Sequence, residues 1–245
     1  MSEVIFIGTS DAFGAGGRRQ SAALLRTGTG SVLMDCGLTT NTGLADLGIE
    51  RDEIDVILIS HFHGDHFGGI PLFLLAALYE DERKRPLEIV GPPDIEARVR
   101  ALSSAMGHGL ETHPSAFPLS FHEVRPGKPH PIGPAEITSF ETRHQLESHP
   151  HGYNIHCGGC RVVYSGDTGW FDDLPDHVAG ADLFVCECTY RASDLDFHLN
   201  YELLCERKAQ LDCGNTILTH LGSEMADRPA GDEFDFADDG LIVSL

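Results

Sequence analysis

The stretch Asp55-Val-Ile-Leu-Ile-Ser60, followed at once by His61-Phe62-His63-Gly64-Asp65-His66, constrains this chain more than any other part of it. A run of that apolarity is buried-strand material, and it stops on four imidazole or carboxylate groups packed into six residues. The strand therefore needs a sheet with covered faces, and its ligand-rich end needs an open edge of that sheet. Three more apolar runs end alike: ITSFETRH on His144, RVVYSGD on Asp167 and TILTH on His220. Loops at strand ends allow a rigid scaffold to hold such groups with little freedom. Histidine with carboxylate suits Zn²⁺ and other borderline first-row metals, whereas calcium and magnesium sites are built almost wholly of oxygen. A lone histidine is ordinarily a surface or satisfied core residue. A His-x-His-x-Asp-His loop with further His and Asp at later strand ends is a metal site, with zinc expected and Mn²⁺ or Fe²⁺ as substitutes.

The rest of the chain supplies the scaffold. Its 245 residues are expected to form one domain of two sheet-plus-helix halves, about 1–118 and 119–245. Short β-like runs alternate with helical stretches. Strands are expected at 4–7, 22–26, 31–35, 55–60, 87–90, 119–124, 135–141, 152–156, 161–165, 182–186, 216–219 and 241–245, and helices at 42–47, 68–80, 94–106, 170–177 and 201–211. The early strands pair antiparallel before helices intervene, and the second half repeats the trend. The two halves then pack face to face with their polar loops at one edge.

His61, His63, Asp65 and His66, then His144, then Asp167 in Tyr-Ser-Gly-Asp-Thr, then His220 in Leu-Thr-His-Leu, resemble the ligand motif of the metallo-β-lactamase-fold hydrolases. The resemblance runs over nearly the whole chain, from Ile7-Gly-Thr-Ser to Asp239-Gly-Leu-Ile-Val. It implies an α/β fold, a four-layer αββα sandwich with a dinuclear zinc site at one edge. One metal is then held by His61, His63 and His144, the other by Asp65, His66 and His220, with Asp167 and a hydroxide bridging them. Two Zn²⁺ against two carboxylates and one hydroxide leave about one positive charge, and metal coordination lowers the pKa of water from 15.7 to about 7.

Members of that fold cut phosphodiesters, lactams, lactones and thioesters, so the fold alone names no substrate. Ala181-Asp-Leu-Phe-Val-Cys-Glu187-Cys-Thr189 resembles the His-Glu-Ala-Thr segment of the ribonuclease Z group, and His198-Leu-Asn resembles its His-Ser/Thr-Thr element. The resemblance implies that Glu187 orients His198, which protonates the leaving alkoxide, while Asp65 belongs to the chemical centre. A strand-end carboxylate and a histidine beside a helix N-cap are the plain alternatives. Arg18-Arg19-Gln20-Ser21 resembles the group's Arg-Asn-x-Ser segment, though both arginines can equally be ordinary loop charges.

One departure matters. The transfer-RNA-processing members carry a long protruding arm, often between the third His and the bridging Asp, and here His144 and Asp167 are only 23 residues apart. Lys plus Arg number 17 against 38 for Asp plus Glu, a net charge of −21 that offers a nucleic-acid backbone no phosphate track. The expected function is that of a binuclear zinc phosphodiesterase related to ribonuclease Z, acting on a small anionic ester, with extended nucleic acid disfavoured. A lactonase or β-lactamase-type hydrolase and a true transfer-RNA 3′-processing endonuclease are the alternatives. The flavin-partnered di-iron members carry Glu where His63 stands.

Other features have bland readings. Seven cysteines without a secretory leader suggest reduced thiols in a cytoplasmic protein, and no apolar stretch is long enough to span a bilayer. Cys157-Gly-Gly-Cys160 reads as a hairpin turn rather than a redox motif. The 106–118 segment, with His108 and His113, is either a lid or a surface loop. Ser148 and Tyr153 match a family stretch, and His149 and His151 beside them either touch substrate or stand in supporting or exposed positions. The acidic 231–239 segment reads as a solvated edge loop. The apolar helix after His66 is either buried between the halves or half of a homodimer contact.

Overall fold

The chain was analysed as a computed structural model, which describes residues 2–225 and 233–245. Among the described residues the first seven-stranded sheet contains β1 (Glu3–Gly8), β2 (Ala22–Arg26), β3 (Ser31–Met34), β4 (Val56–Leu58), β5 (Leu87–Gly91), β6 (Leu119–Glu123) and β14 (Ile242–Ser244), in the order β14-β1-β2-β3-β4-β5-β6. The second contains β7 (Pro129–Ile132), β8 (Ala135–Glu141), β9 (His151–Cys157), β10 (Cys160–Tyr164), β11 (Leu183–Glu187), β12 (Asn215–Thr219) and β13 (Asp235–Phe236), in the order β13-β12-β11-β10-β9-β8-β7. Each sheet is antiparallel where hairpins connect it and parallel where helices intervene: β3 to β6 run parallel, as do β10 to β13.

Period-two alternation sorts the side chains into layers. Val4 and Phe6 of β1 and Val56 and Leu58 of β4 meet Ile137, Ile155, Val162 and Val185 of the second sheet in a core between the sheets. Ile5, Ile7, Ile57 and Ile59 point the other way, against α1 (Thr40–Asp46), α3 (Ile70–Tyr79) and α4 (Ile95–Ala105). Val163, Phe184 and Leu218 pack on α5 (Leu174–Val178) and α6 (Tyr201–Arg207). Helix, sheet, sheet, helix is the αββα sandwich expected.

The differences from expectation have local causes. β7 holds Pro129 and Pro131, which remove ladder donors, and it survives because it is an edge strand paired only with β8. The crossing between sheets comes after Glu123, and the last strand returns to pair with β1. The expected 68–80 helix is present as α3, from Ile70 to Tyr79 with Pro71 in its first turn, and a separate short helix, α2 (Gly64–Phe67), forms in the loop ahead of it and carries Asp65 and His66. Gly69 between them has no room for a side chain, since a Cβ there would lie 2.2 Å from the Gly37 carbonyl oxygen. Of the acidic 231–239 segment, 231 and 232 lie outside the described residues, and Asp235–Phe236 pairs parallel to β12 instead of remaining loop.

The Cys157-Gly-Gly-Cys160 turn closes the β9–β10 hairpin with both glycines at positive φ, 60° and 86°, as a two-residue hairpin turn requires. The cysteines, all described, form no disulfide. The 106–118 segment lies along the flank of α3, where His108, Leu110, His113 and Phe117 line a small apolar cavity with Leu74 and Leu78. It covers part of the apolar helix rather than the ligand loop. No helix among the described residues is long and apolar enough to cross a membrane.

Candidate metal centre

The ligand candidates all leave strand ends at one edge of the sandwich. His61 and His63 follow β4, Asp65 and His66 sit on α2, His144 follows β8, Asp167 follows β10 and His220 follows β12. The structure brings all seven together as two clusters. In the first, His61 Nε2 lies 3.0 Å from His63 Nδ1, His144 Nε2 lies 3.2 Å from the same atom, and Asp167 Oδ2 stands 3.7 Å from His61 Nε2. In the second, His66 Nε2 lies 3.2 Å from Asp65 Oδ2, His220 Nε2 lies 3.5 Å from that oxygen, and Asp167 Oδ1 stands 3.3 and 3.4 Å from the two imidazole nitrogens. Asp167 thus turns one carboxylate oxygen to each cluster.

These residues fit a metal on three observations. Ligand bonds of about 2.0–2.2 Å in a tetrahedral shell put neighbouring donors about 3.3–3.6 Å apart, and most of the distances above fall in or near that range. His66 Nε2, His220 Nε2 and Asp167 Oδ1 are buried and have no hydrogen-bond partner among the described residues, an arrangement costly for a protein unless a further group satisfies it. The charges agree as well. Burial alone would discharge His66, but Asp167, Asp65 and Asp35 push its pKa well above the usual value. Burial likewise favours a neutral Asp65, yet His66 and His220 hold its pKa down. Three carboxylates in one buried edge call for positive charge.

Four of the five imidazoles, His63 being the exception, have a partner at the other nitrogen. His66 Nδ1 lies 2.6 Å from Asp35 Oδ2, His144 Nδ1 donates to the Phe197 carbonyl at 2.8 Å, and His220 Nδ1 donates to Thr189 Oγ1 at 2.8 Å. Ser60 Oγ stands 3.0 Å from His61 Nδ1. Asp35 is itself fixed by the Ser60 N–H and hydroxyl, at 2.7 and 2.8 Å, and by the Tyr164 hydroxyl at 2.5 Å. Such partners fix tautomer and ring direction. Asp35 and His220 hold left-handed backbone, φ 60° and 55°, conformations that persist where the surroundings over-determine them.

Glu187, at the buried end of β11, accepts from the Thr168 N–H at 2.8 Å, the Thr189 hydroxyl at 2.9 Å and His198 Nδ1 at 2.8 Å. His198 stacks on His220 with ring centroids 5.6 Å apart, and its ligand atom falls within 4.8 Å of those of Asp167 and His220. Burial works against charge on His198, but Glu187 outweighs it and raises the pKa to about 9. Asn200 accepts from the Leu203 N–H and starts α6, which pins the 190–200 loop that carries His198.

Arg18 and Arg19 are not brought to the clusters. Arg19 binds the Ile7 carbonyl, Asp46 and Asp239, and Arg18 reaches Asp238. They tie the loop after β1 to α1 and to the acidic residues ahead of β14. Ser148 accepts from the Phe62 N–H through its carbonyl, and the Tyr153 hydroxyl donates to the Ile59 carbonyl, so both brace the ligand loop from behind. Sequence reasoning missed Asp35, although Ser31-Val-Leu-Met-Asp35 repeats the pattern of an apolar run closing on a carboxylate.

The αββα architecture with ligand-bearing loops at one edge defines a metal-dependent hydrolase of the metallo-β-lactamase fold, ribonuclease Z-like in sequence. The family model described as anti-Pycsar protein Apyc1 matches residues 2–240, and the chain belongs to that family. Ribonuclease Z of Mycobacterium bovis (strain BCG / Pasteur 1173P2) is 27% identical over 240 residues, covering 90% of this chain and 86% of the relative. Among solved structures, the metallo-β-lactamase fold protein YhfI of Bacillus subtilis superposes with TM-score 0.78 at 24% identity, over all of both chains. Human tRNase Z, short form, gives 0.79 at 23% over 99% of this chain and 98% of the other. A diphosphatase of the PhnP family gives 0.78 at 15% over 100% and 98%.

Proposed function

We propose that this chain is a binuclear zinc phosphodiesterase acting on a small anionic diester. The observation that carries the proposal is the bridging position of Asp167 between two ligand clusters, with the Glu187–His198 pair immediately beside them. His61, His63 and His144 would hold one ion, Asp65, His66 and His220 the other, with Asp167 between them. Such ions would supply a hydroxide nucleophile near neutral pH and neutralise phosphoryl oxygens.

The chain's own residues do the rest. Glu187 holds Nδ1 of His198 and stabilises its charged form, which leaves Nε2 to donate a proton to the departing alkoxide, a contribution of about 10²–10⁴ in rate. Asp35 and Thr189 keep His66 and His220 turned toward the centre. The half-buried His198, held by the buried Glu187 beside the clusters, resembles the pair of the ribonuclease Z group and supports the diester over a lactone or lactam.

A small substrate is favoured over precursor transfer RNA. Residues 145–166 are taken up by a short turn, the β9–β10 hairpin and the step to Asp167, with no arm, and the net charge of −21 repels a long phosphate backbone. The family is described by an anti-Pycsar protein rather than by a transfer-RNA-processing enzyme. Metal analysis joined to a panel of bis(p-nitrophenyl) phosphate, 3′,5′-cyclic mononucleotides and a 3′-extended transfer RNA tests this. The expected result is about two zinc ions per chain and turnover of the small diesters. Efficient, specific cleavage of the transfer RNA, or no zinc under replete conditions, overturns it.

A further inference from the structure

Beside the ligand clusters lies an open groove of about 540 Å³, walled by Pro93, Arg125, Glu141, Leu146, His149 and Pro150. It adjoins the centre directly. Thr142, on the same wall, donates from its hydroxyl to the Asp167 carbonyl at 3.1 Å. Phe62, between two ligands, faces the His149 ring at 5.7 Å and carries the Arg98 guanidinium on its ring at 5.2 Å.

Two observations mark the groove as more than a gap between loops. Leu146 is 79% exposed, an apolar side chain left in water within two residues of a ligand. His149 sits in left-handed backbone, φ 54° and ψ 59°, and its Nδ1 donates to the Pro93 carbonyl at 3.1 Å, so its ring is fixed. Strained non-glycine backbone held by its neighbours points to function when an outlier of this kind is observed.

Sheet order gives the groove a direction. Its walls come from β8, β9 and the turns after β5 and β6, whereas Glu187 ends β11, beyond the β10 strand that carries Asp167. Attacking and leaving oxygens are roughly in line in phosphoryl transfer. As the hydroxide oxygen bonds to phosphorus, the ester bond to the leaving oxygen breaks and that oxygen takes its proton from His198. The other ester stays on phosphorus in the equatorial plane, roughly at right angles to the line of attack and departure, so it does not share the position beside His198 taken by the departing oxygen.

We infer that the organic group retained on the phosphate product lies in this groove as a flat, largely apolar ring against Leu146 and His149. The inference rests on the phosphodiesterase function proposed above and adds which half of the diester is selected and by which side chains.

The test compares methyl p-nitrophenyl phosphate with phenyl p-nitrophenyl phosphate, which share a leaving group and differ only in the retained ester. The readouts are the phenyl-to-methyl ratio of kcat/KM and the calorimetric Kd of phenyl phosphate relative to methyl phosphate. In Leu146→Asp and in His149→Gly the ratio is expected to fall about tenfold from the parent value, most of it through KM, and the relative Kd to weaken alike, since stacking and apolar contact of one ring are together of that order. Because both quantities are ratios within one preparation, loss of folded protein does not move them, and an exposed Leu146 has no core to disturb. Unchanged ratios in both variants while both diesters turn over overturn the groove assignment alone. Failure of the zinc-loaded parent to hydrolyse either diester overturns the phosphodiesterase function and this inference with it.

Discussion

At the scale of single residues, the centre depends as much on what stands behind the ligands as on the ligands. Asp35 takes the Nδ1 proton of His66 and is fixed by three further donors. Asp35→Asn keeps the shape but removes the charge, and zinc affinity measured by competition with a chromogenic chelator is expected to fall about 10–100-fold. An unchanged affinity would mean that His66 needs no such partner. The acid role proposed for His198 has its own signature. His198→Ala should cost about 10²–10⁴ in kcat on diesters with an alkoxide leaving group and far less on p-nitrophenyl esters, whose leaving group departs without a proton; equal losses on both would remove the role. The sign of the pH effect follows from Glu187. Its negative charge raises the His198 pKa, so Glu187→Gln lowers it, and activity on alkoxide esters should be lost at a lower pH on the alkaline side. The convergence of the seven candidate ligands was legible because four apolar runs close on them, one run on a loop holding four of the seven. Asp35 ends a run in the same way, but a lone carboxylate among so many acids carried no second mark, and its three donors come from residues far away in sequence.

At the scale of elements, the strands were legible where alternation or continuous apolarity was strong, as in β1, β4, β10 and β11. They were illegible where tertiary context decided, as in the proline-bearing edge strand β7 and the two-residue β13, which exists only because β12 offers an edge. Another such contact is Arg83, which is almost fully buried yet predicted by no pattern. Its guanidinium donates to the carbonyls of Arg51 and Ile54, Arg85 and Pro86 at 2.7–3.0 Å and lies over the Phe117 ring at 5.7 Å. It thereby locks the turn after α3 to the loop before β4. Arg83→Ala strands those carbonyls and should lower stability by about 1–3 kcal/mol or more in urea unfolding. Arg83→Lys, which lacks the fork, should restore only part of the loss. β9 contributes acid sensitivity. Burial lowers the His151 pKa to about 4, so below about 6.5 the unfolded chain binds a proton that the folded chain refuses. Stability is therefore complete above about pH 6.5 and declines as pH falls to about 4, by about 3 kcal/mol from this residue. His151→Gln should flatten the slope of unfolding free energy against pH in that window by about one proton; an unaltered slope would assign the acid sensitivity elsewhere.

At the scale of the whole molecule, two electrostatic fields oppose one another. A net charge of −21 and a sequence pI of about 4.8 repel an anionic ester from every direction, while the centre, once loaded, attracts it over a few ångströms. The two respond differently to salt. At 0.1 M ionic strength the Debye length is about 10 Å, so long-range repulsion among exposed carboxylates is largely screened, whereas contacts inside a partly buried site are screened much less. Raising salt from low to physiological levels should therefore leave the bound interaction nearly intact and ease the approach. KM for a monoanionic diester is expected to fall or hold level between about 0.01 and 0.15 M salt, with kcat unchanged. A protein that grips a nucleic-acid backbone behaves in the opposite way, since each neutralised phosphate releases a counterion and weakens binding steeply as salt rises. A steep rise in KM over that range would reveal a positive track that no surface of this acidic chain has been assigned, and would transfer the case to a long polyanionic substrate. A fall or a flat line instead ties recognition to the metal edge and its immediate walls, where a small diester can reach and a polymer backbone finds no continuation.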